Sequence, residues 1–267
     1  RIGDLGDSNG SQWQDVNFGV QTDQGEKKAT KFYINGLADI LEAKTERGFA
    51  IRGTPTHQIK VSDSEGNWGW RRLDALEAGN IVPVRIGGML GSPKTVTLPN
   101  CPPAYGPSMY RGVIAPTTMT VELAEIVGLW AGNGSLHTKG LRFSIFEGDV
   151  DVVEHIQEVC AKLFGIETTL ETAPGVYTIC VNSTQIRRWW ESAGFGKIAP
   201  LGGVRKGGKG YSLALPDAIL ATNDPQIYGA YLRGLFTSDG TVTCGLPSMT
   251  NCSQTFIEHV QTMLLAL

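Results

Sequence analysis

Along the first third of the chain, apolar residues alternate with polar ones in short runs separated by turn residues. Val16 to Thr22, Ala29 to Ile34, Asp39 to Thr45, Phe49 to Arg52, Gln58 to Val61, Trp68 to Arg71 and Ile81 to Arg85 are predicted as strands. The breaks at Asp23-Gln24-Gly25, Asn35-Gly36, Glu46-Arg47-Gly48 and Glu65-Gly66-Asn67 carry hairpin chemistry. Residues 1–86 therefore read as all-β, an antiparallel sheet with hairpins. One helical stretch interrupts it, Leu73 to Ala78, stopping at Gly79-Asn80. Residues 87–120 hold Pro93, Pro99, Pro102, Pro103, Pro107 and Pro116. That density excludes a regular helix or a central strand and predicts an extended connector between two domains.

From Thr120 the period changes. Val121 to Gly132, Asp149 to Phe164, Ser183 to Ala193, Gln226 to Ser238 and Ser253 to Leu267 have helical spacing. Strands are predicted at Leu141 to Phe146, Glu167 to Thr172, Val176 to Asn182 and Gly240 to Thr243. The reading for 121–267 is mixed α+β. The last helix stops at Leu267 within an apolar-periodic run and without a C-cap residue, and the chain opens on Arg1, so a fragment of a longer polypeptide is expected.

Composition narrows the function classes. A hydrophobic fraction of 41% in 267 residues is enough for a buried core and argues against a disordered chain. No apolar run approaches the roughly 20 residues of a membrane span, and Arg1-Ile2-Gly3-Asp4-Leu5 has no hydrophobic h-region. The five cysteines form no CxxC pair, and their odd number argues against a closed disulfide framework. Reduced structural thiols in an intracellular protein are expected. A formal net charge of -3 leaves any nucleic-acid binding to a local patch.

Two of the predicted helices share a pattern. Gly128-Leu129-Trp130-Ala131-Gly132-Asn133-Gly134 and Gly234-Leu235-Phe236-Thr237-Ser238-Asp239-Gly240 are offset by 106 residues. Upstream, Ala124 corresponds to Ala230, so small residues at 124, 128 and 132 match those at 230, 234 and 238. Either copy alone reads as a helix C-cap and turn. Two copies with the same small-residue stripe predict that the helices pack side by side and bring Asn133 and Asp239 together at one end. Two acids there would form a divalent-cation site of the kind used in phosphodiester hydrolysis.

The duplicated helix resembles the signature of the LAGLIDADG (DOD-type) homing endonucleases, in which two such helices form a pseudo-twofold interface and deliver one acid each. The resemblance implies α-β-β-α-β-β-α repeats over residues 121–267, with the second repeat truncated. It also implies a monomer acting on double-stranded DNA with Mg2+, and Asp239 and Asn133 as catalytic and metal residues. Asn133 departs from the pattern, because an amide offers an oxygen to a metal but no negative charge. A nickase or a nuclease-dead DNA-binding remnant is the alternative to a full endonuclease, and Asn133→Asp is expected to increase double-strand cutting.

Cations for the DNA lie between Arg187 and Gly210, where Arg187, Arg188, Lys197, Arg205, Lys206 and Lys209 face the single acid Glu191. The glycine-rich stretch 202–210 suits phosphate contacts as a flexible loop, and a solvated basic loop is the plain alternative. Lys139 and Arg142, beside a predicted strand, are candidates for base edges. In the family a lysine precedes an "IP" motif and assists catalysis; Leu215-Pro216 resembles that motif, with Lys209 the nearest lysine upstream.

The first segment carries a second resemblance. Asn35-Gly36, Thr45, Gly48, Gly53, Thr54-x-x-His57 and Ile59-x-Val61 are similar to the Hint (intein) domain, as is Trp70-Arg71-Arg72-Leu73-Asp74-Ala75-Leu76 followed by Gly79-Asn80 and Val82-Pro83-Val84. An endonuclease inserted into a Hint domain is a large intein, covalently flanked by an extein host protein. The resemblance implies autocatalytic protein splicing, with His57 acting on the upstream junction amide and Thr54 holding it. It places the Cys or Ser nucleophile upstream of Arg1, and it implies a cytoplasmic setting.

Overall fold

A computed structural model describes residues 5–63, 65–89, 91–103, 113–199 and 212–267. The chain divides into two compact units, Arg1–Gly91 and Ser92–Leu267.

The first unit is built from hairpins. β1 (Trp13–Thr22) pairs antiparallel with β2 (Gly25–Tyr33), with Asp23 and Gln24 as the connecting turn. Gly25, at φ 92°, takes the left-handed conformation that lets the second strand start immediately. β3 (Leu41–Lys44) pairs with β4 (Ala50–Gly53), and β5 (Gln58–Ser62) with β6 (Trp68–Arg72). Among the described residues these remain three separate two-stranded ribbons, where one antiparallel sheet was expected. Alternation along a strand specifies its own pleat and its turn, not which ribbon lies beside it. Two smaller expectations also change. The helical stretch from Leu73 is a single 3-10 turn, Leu73–Ala75, and the strand at Ile81 to Arg85 reduces to one bridge between Ser62 and Ile81. Val61 and Leu73 are the only fully buried side chains described in this unit, while Trp13, Trp68 and Trp70 are exposed.

The second unit has a dense core. α1 (Val121–Asn133) starts at Thr120, whose side chain accepts the Leu123 N–H. β7 (Gly134–His137) follows without a loop, then β8 (Gly140–Phe146), α2 (Val150–Phe164), β9 (Thr169–Ala173), β10 (Val176–Val181) and α3 (Thr184–Ser192). The four strands form one antiparallel sheet in the order β7-β8-β10-β9. Leu141, Phe143, Ile145, Ile179 and Val181 point from one face into the core, none more than 3% exposed. Arg142, Ser144 and Phe146 alternate onto the other face. The sequence does not predict β7, because the four residues Gly-Ser-Leu-His carry almost no strand pattern and Gly134 reads as the stop of the helix before them. Its presence completes an α-β-β-α-β-β-α order from 121 to 192.

The repeat then starts again. After the short α4 (Asp217–Leu220), α5 (Pro225–Asp239) is capped by Asp224 and followed by β11 (Gly240–Thr243), β12 (Leu246–Met249) and α6 (Gln254–Ala266). The 106-residue offset holds in three dimensions. β11 occupies the positions of β7, and the Thr243–Leu246 pair closes its hairpin where His137–Gly140 closes the first.

The proline-rich segment from Ser92 belongs to this second unit and is tied into it. Leu98 and Met119 N–H groups donate to the Thr117 and Val96 carbonyls, and Lys94 N–H donates to Thr222 O. Three side chains of α3 hold residues 99–103: Gln185 on Pro102 O, Arg188 on Pro103 O and Trp189 Nε1 on Pro99 O. A proline has no N–H to give to a ladder but keeps its carbonyl acceptor, and here side-chain donors satisfy three of those carbonyls. Among the described residues no helix is long and apolar enough to cross a membrane.

Candidate active site at the ends of the paired helices

α1 and α5 pack directly against each other, and glycine makes the contact possible. A Cβ on Gly128 would lie 2.1 Å from Tyr231 O and 2.9 Å from Leu235 N; one on Gly234 would lie 2.1 Å from Glu125 O and 2.8 Å from Leu129 N. Adding the offset to 125 and 129 gives 231 and 235, so each glycine meets the counterpart of what the other meets. The two helices are thus related by a pseudo-twofold and run the same way. Gly132 faces Ser238 and Asp239, 2.8 and 3.0 Å from their Cβ atoms by the same construction. Beside the glycines, Glu125 accepts a bidentate pair from Arg233 across the interface, at 2.8 and 3.0 Å, which holds its carboxyl below the usual range.

Both helices end on glycine for reasons of space. Gly134 and Gly240 have φ of -90° and -84°, open to any residue. A Cβ would fall 2.3 Å from Trp130 Cδ1 in the first and 2.4 Å from Phe236 O in the second. The chain leaves each helix straight into a strand, and that bend has no room for a side chain.

Asn133 and Asp239 therefore meet at one end of the pair. Asn133 Nδ2 donates to Ser238 O at 2.8 Å. Asp239 remains reached by solvent, yet desolvation raises its pKa, opposed by the nearby Lys197 charge. Lys197 reaches the same place from beyond α3. Its Nζ donates to Gly132 O at 3.1 Å and lies 5.5 Å from the Trp130 ring centroid. Burial pushes its pKa down, and Asp239 pulls it back up.

An aromatic cluster puts Lys197 there. Trp189 and Trp190 of α3 are fully buried, Trp190 edge-on to Trp130 at 5.4 Å, and Phe195 meets both edge-to-face at 5.8 and 5.1 Å. Gly194, at φ 76°, turns the chain back at the end of α3, and Lys197 follows two residues after Phe195. The sequence offered Lys197 only as one member of a basic stretch. Its place at the helix ends depends on packing between residues 65 and 42 positions apart, which no local signal records.

The remaining candidates are dispersed. Arg142 is on the outer sheet face and pairs with Glu171 of β9 at 3.3 Å; Lys139 is exposed in the β7–β8 turn. Arg187 pairs with Glu191 at 3.5 Å, and its Nε is buried with no hydrogen-bond partner. Arg188 straps the proline segment through Pro103 O. Arg205, Lys206 and Lys209 lie outside the described residues. In the first unit, the turn from Thr54 to His57 is clamped: His57 N–H donates to Thr54 O, Leu73 N–H to His57 O and Asp74 N–H to Pro55 O, at 2.8 to 3.1 Å. The His57 side chain stays exposed above that fixed backbone.

Oxygen is the donor type at the helix ends: the Asp239 carboxylate, the Asn133 amide and two helix-terminal carbonyls. Among the described residues no group of three or more His, Cys, Asp or Glu forms a metal cage. One carboxylate in a partly desolvated, oxygen-lined site fits a hard, largely hydrated cation such as Mg2+, which completes its shell with water and phosphate oxygens.

None of the curated proteins compared with the chain matches it. The stretch that runs from the second residue of α5 through the β11–β12 hairpin to the end of α6, residues 226–267, matches the family model described as a LAGLIDADG-like domain.

Proposed function

We propose that the second unit is a site-specific DNA endonuclease of the homing type that cuts one strand, and that it lies within an intein whose splicing domain includes residues 1–86. The observation that carries the nuclease reading is the parallel α1–α5 pair, which gathers Asp239, Asn133 and Lys197 at one end. The LAGLIDADG-like match over the second copy supports it.

Asp239 would hold a divalent cation, which supplies polarisation of the scissile phosphate and a more acidic bound water. Lys197 presents an ammonium, already desolvated against Trp130, to negative charge developing on the phosphate. Asn133 stands beside them uncharged. The single carboxylate in the pair favours one hydrolytic centre, hence one strand. Arg142, Lys139, Arg187 and the basic segment 205–209 are the proposed phosphate and base contacts, which position the duplex. Glu171 competes for Arg142, so reading by Arg142 requires that surface pair to open, at a cost of about 0–1 kcal/mol.

The test is the full chain in Mg2+ on a randomised supercoiled DNA library, with cleaved ends sequenced and products scored as nicked or linear. Nicks at one recurrent sequence are expected. Bound but uncut DNA would favour the nuclease-dead remnant. Lys197→Met, which keeps the apolar stem on Trp130, is expected to lower cleavage about a hundredfold, while the melting temperature stays within a few degrees. Equal loss of both would make Lys197 structural.

The splicing part of the reading rests on the clamped turn at Thr54-Pro55-Thr56-His57, which fixes the backbone of an accessible histidine. In a precursor with both flanks supplied, His57→Ala is expected to slow upstream-junction cleavage with little change in melting temperature. Splicing at the wild-type rate would remove His57 from the mechanism.

A further inference from the structure

The two helix ends are held shut in different ways. Gly132 and Ser238 are counterparts under the 106-residue offset, and each exposes a backbone carbonyl just before the acid position. Gly132 O receives the Lys197 ammonium at 3.1 Å, and Ser238 O receives the Asn133 amide at 2.8 Å. Of the two ends of an amide only the NH2 can donate to a carbonyl, so the partner itself fixes which way the Asn133 amide points. The first half is therefore not a copy of the second that has merely lost its charge. The side chain at 133 supplies the donor that Lys197 supplies on the other side, and among the described residues no lysine reaches Ser238 O.

We infer that Asn133 is a positioning residue, a latch between the motif helices that fixes the Ser238 carbonyl and with it the direction of the next side chain, Asp239. This rests on the endonuclease reading only for what Asp239 is being aimed at. It reverses the expectation drawn from sequence for Asn133→Asp. A carboxylate at that position would set oxygen lone pairs against the Ser238 carbonyl, with no proton to share, so it would open the helix ends and not complete a second metal site.

The experiment is Mn2+ titration of the full chain by calorimetry, with thermal melting recorded without metal. Wild type is expected to take up one Mn2+, and Asp239→Asn to lose it. Asn133→Asp is expected to melt below wild type, to bind no second ion, and to hold the first at least about tenfold more weakly. Tighter binding or a second Mn2+ in Asn133→Asp would overturn the latch and make Asn133 a deficient ligand. Asn133→Ala removes the donor without adding charge and serves if Asn133→Asp does not fold. Loss of stability in that variant with unchanged Mn2+ affinity would reduce Asn133 to a structural bond. Absence of Asp239-dependent uptake in wild type would sink the cation reading instead. The latch would then be judged by the melting order alone: wild type above Asn133→Ala above Asn133→Asp supports it, and Asn133→Asp melting with wild type refutes it.

Discussion

On the proposed nuclease reading, Asp239→Asn is expected to remove most DNA cleavage, lowering the nicking rate by at least about a hundredfold with the fold intact. The floor comes from what loss of one preorganised electrostatic contact does in enzymes generally, and here the lost group is the carboxylate of the Asn133–Asp239 pair. The substitution is nearly isosteric and the position is accessible to solvent, so no cavity or clash accompanies it. Lys197 would lose its counter-charge but keep Gly132 O. Nicked and linear products from supercoiled target in Mg2+, together with a melting curve, decide the matter. Residual nicking within tenfold of wild type would move the hydrolytic centre away from α5.

Gly128→Ala is expected to destabilise the second unit by about 1–3 kcal/mol, the usual range for overpacking. The new methyl would sit 2.1 Å from Tyr231 O, and both near neighbours are backbone atoms of the facing helix. Side chains can rotate away from an intruder, but a helix backbone can only retreat as a body. α1 and α5 would have to part, pulling Asn133 from Ser238 O and opening the site as well as the core. Gly234→Ala meets Glu125 O at the same 2.1 Å and should cost a similar amount. Because both substitutions force the same separation, the double variant should lose less than the sum. Denaturant unfolding of the three variants tests this. A neutral Gly128→Ala would mean that the helices do not approach as closely as described.

Much of the second unit was legible in advance because its signals are local or repeated. The helical period placed α1, α2, α3, α5 and α6 to within a few residues, and caps such as Thr120, Ser183 and Ser253 each accept the N–H three residues on. The offset repeat gave the pairing of α1 with α5, since a stripe of small residues in two places is explained by their lying together. Two four-residue strands of this unit escaped. β7 and β12 hold too few alternating positions to stand out, and β7 is strand only because β8 lies beside it.

The residues alone determined which helix ends form the candidate site: the duplicated motif, the acid at 239 and the amide at 133 are written in the chain. Tertiary structure decided what those groups do to one another. Lys197 joins the candidate site because Trp190 packs edge-on against Trp130 and Phe195 packs against Trp189 and Trp190. Arg188 is taken up by Pro103 O. Asn133 becomes a donor to Ser238 O because two glycines let the helices touch. Each of these is a contact between residues far apart in sequence, fixed by close packing and hydrogen-bond satisfaction, and such constraints leave no periodic trace along the chain.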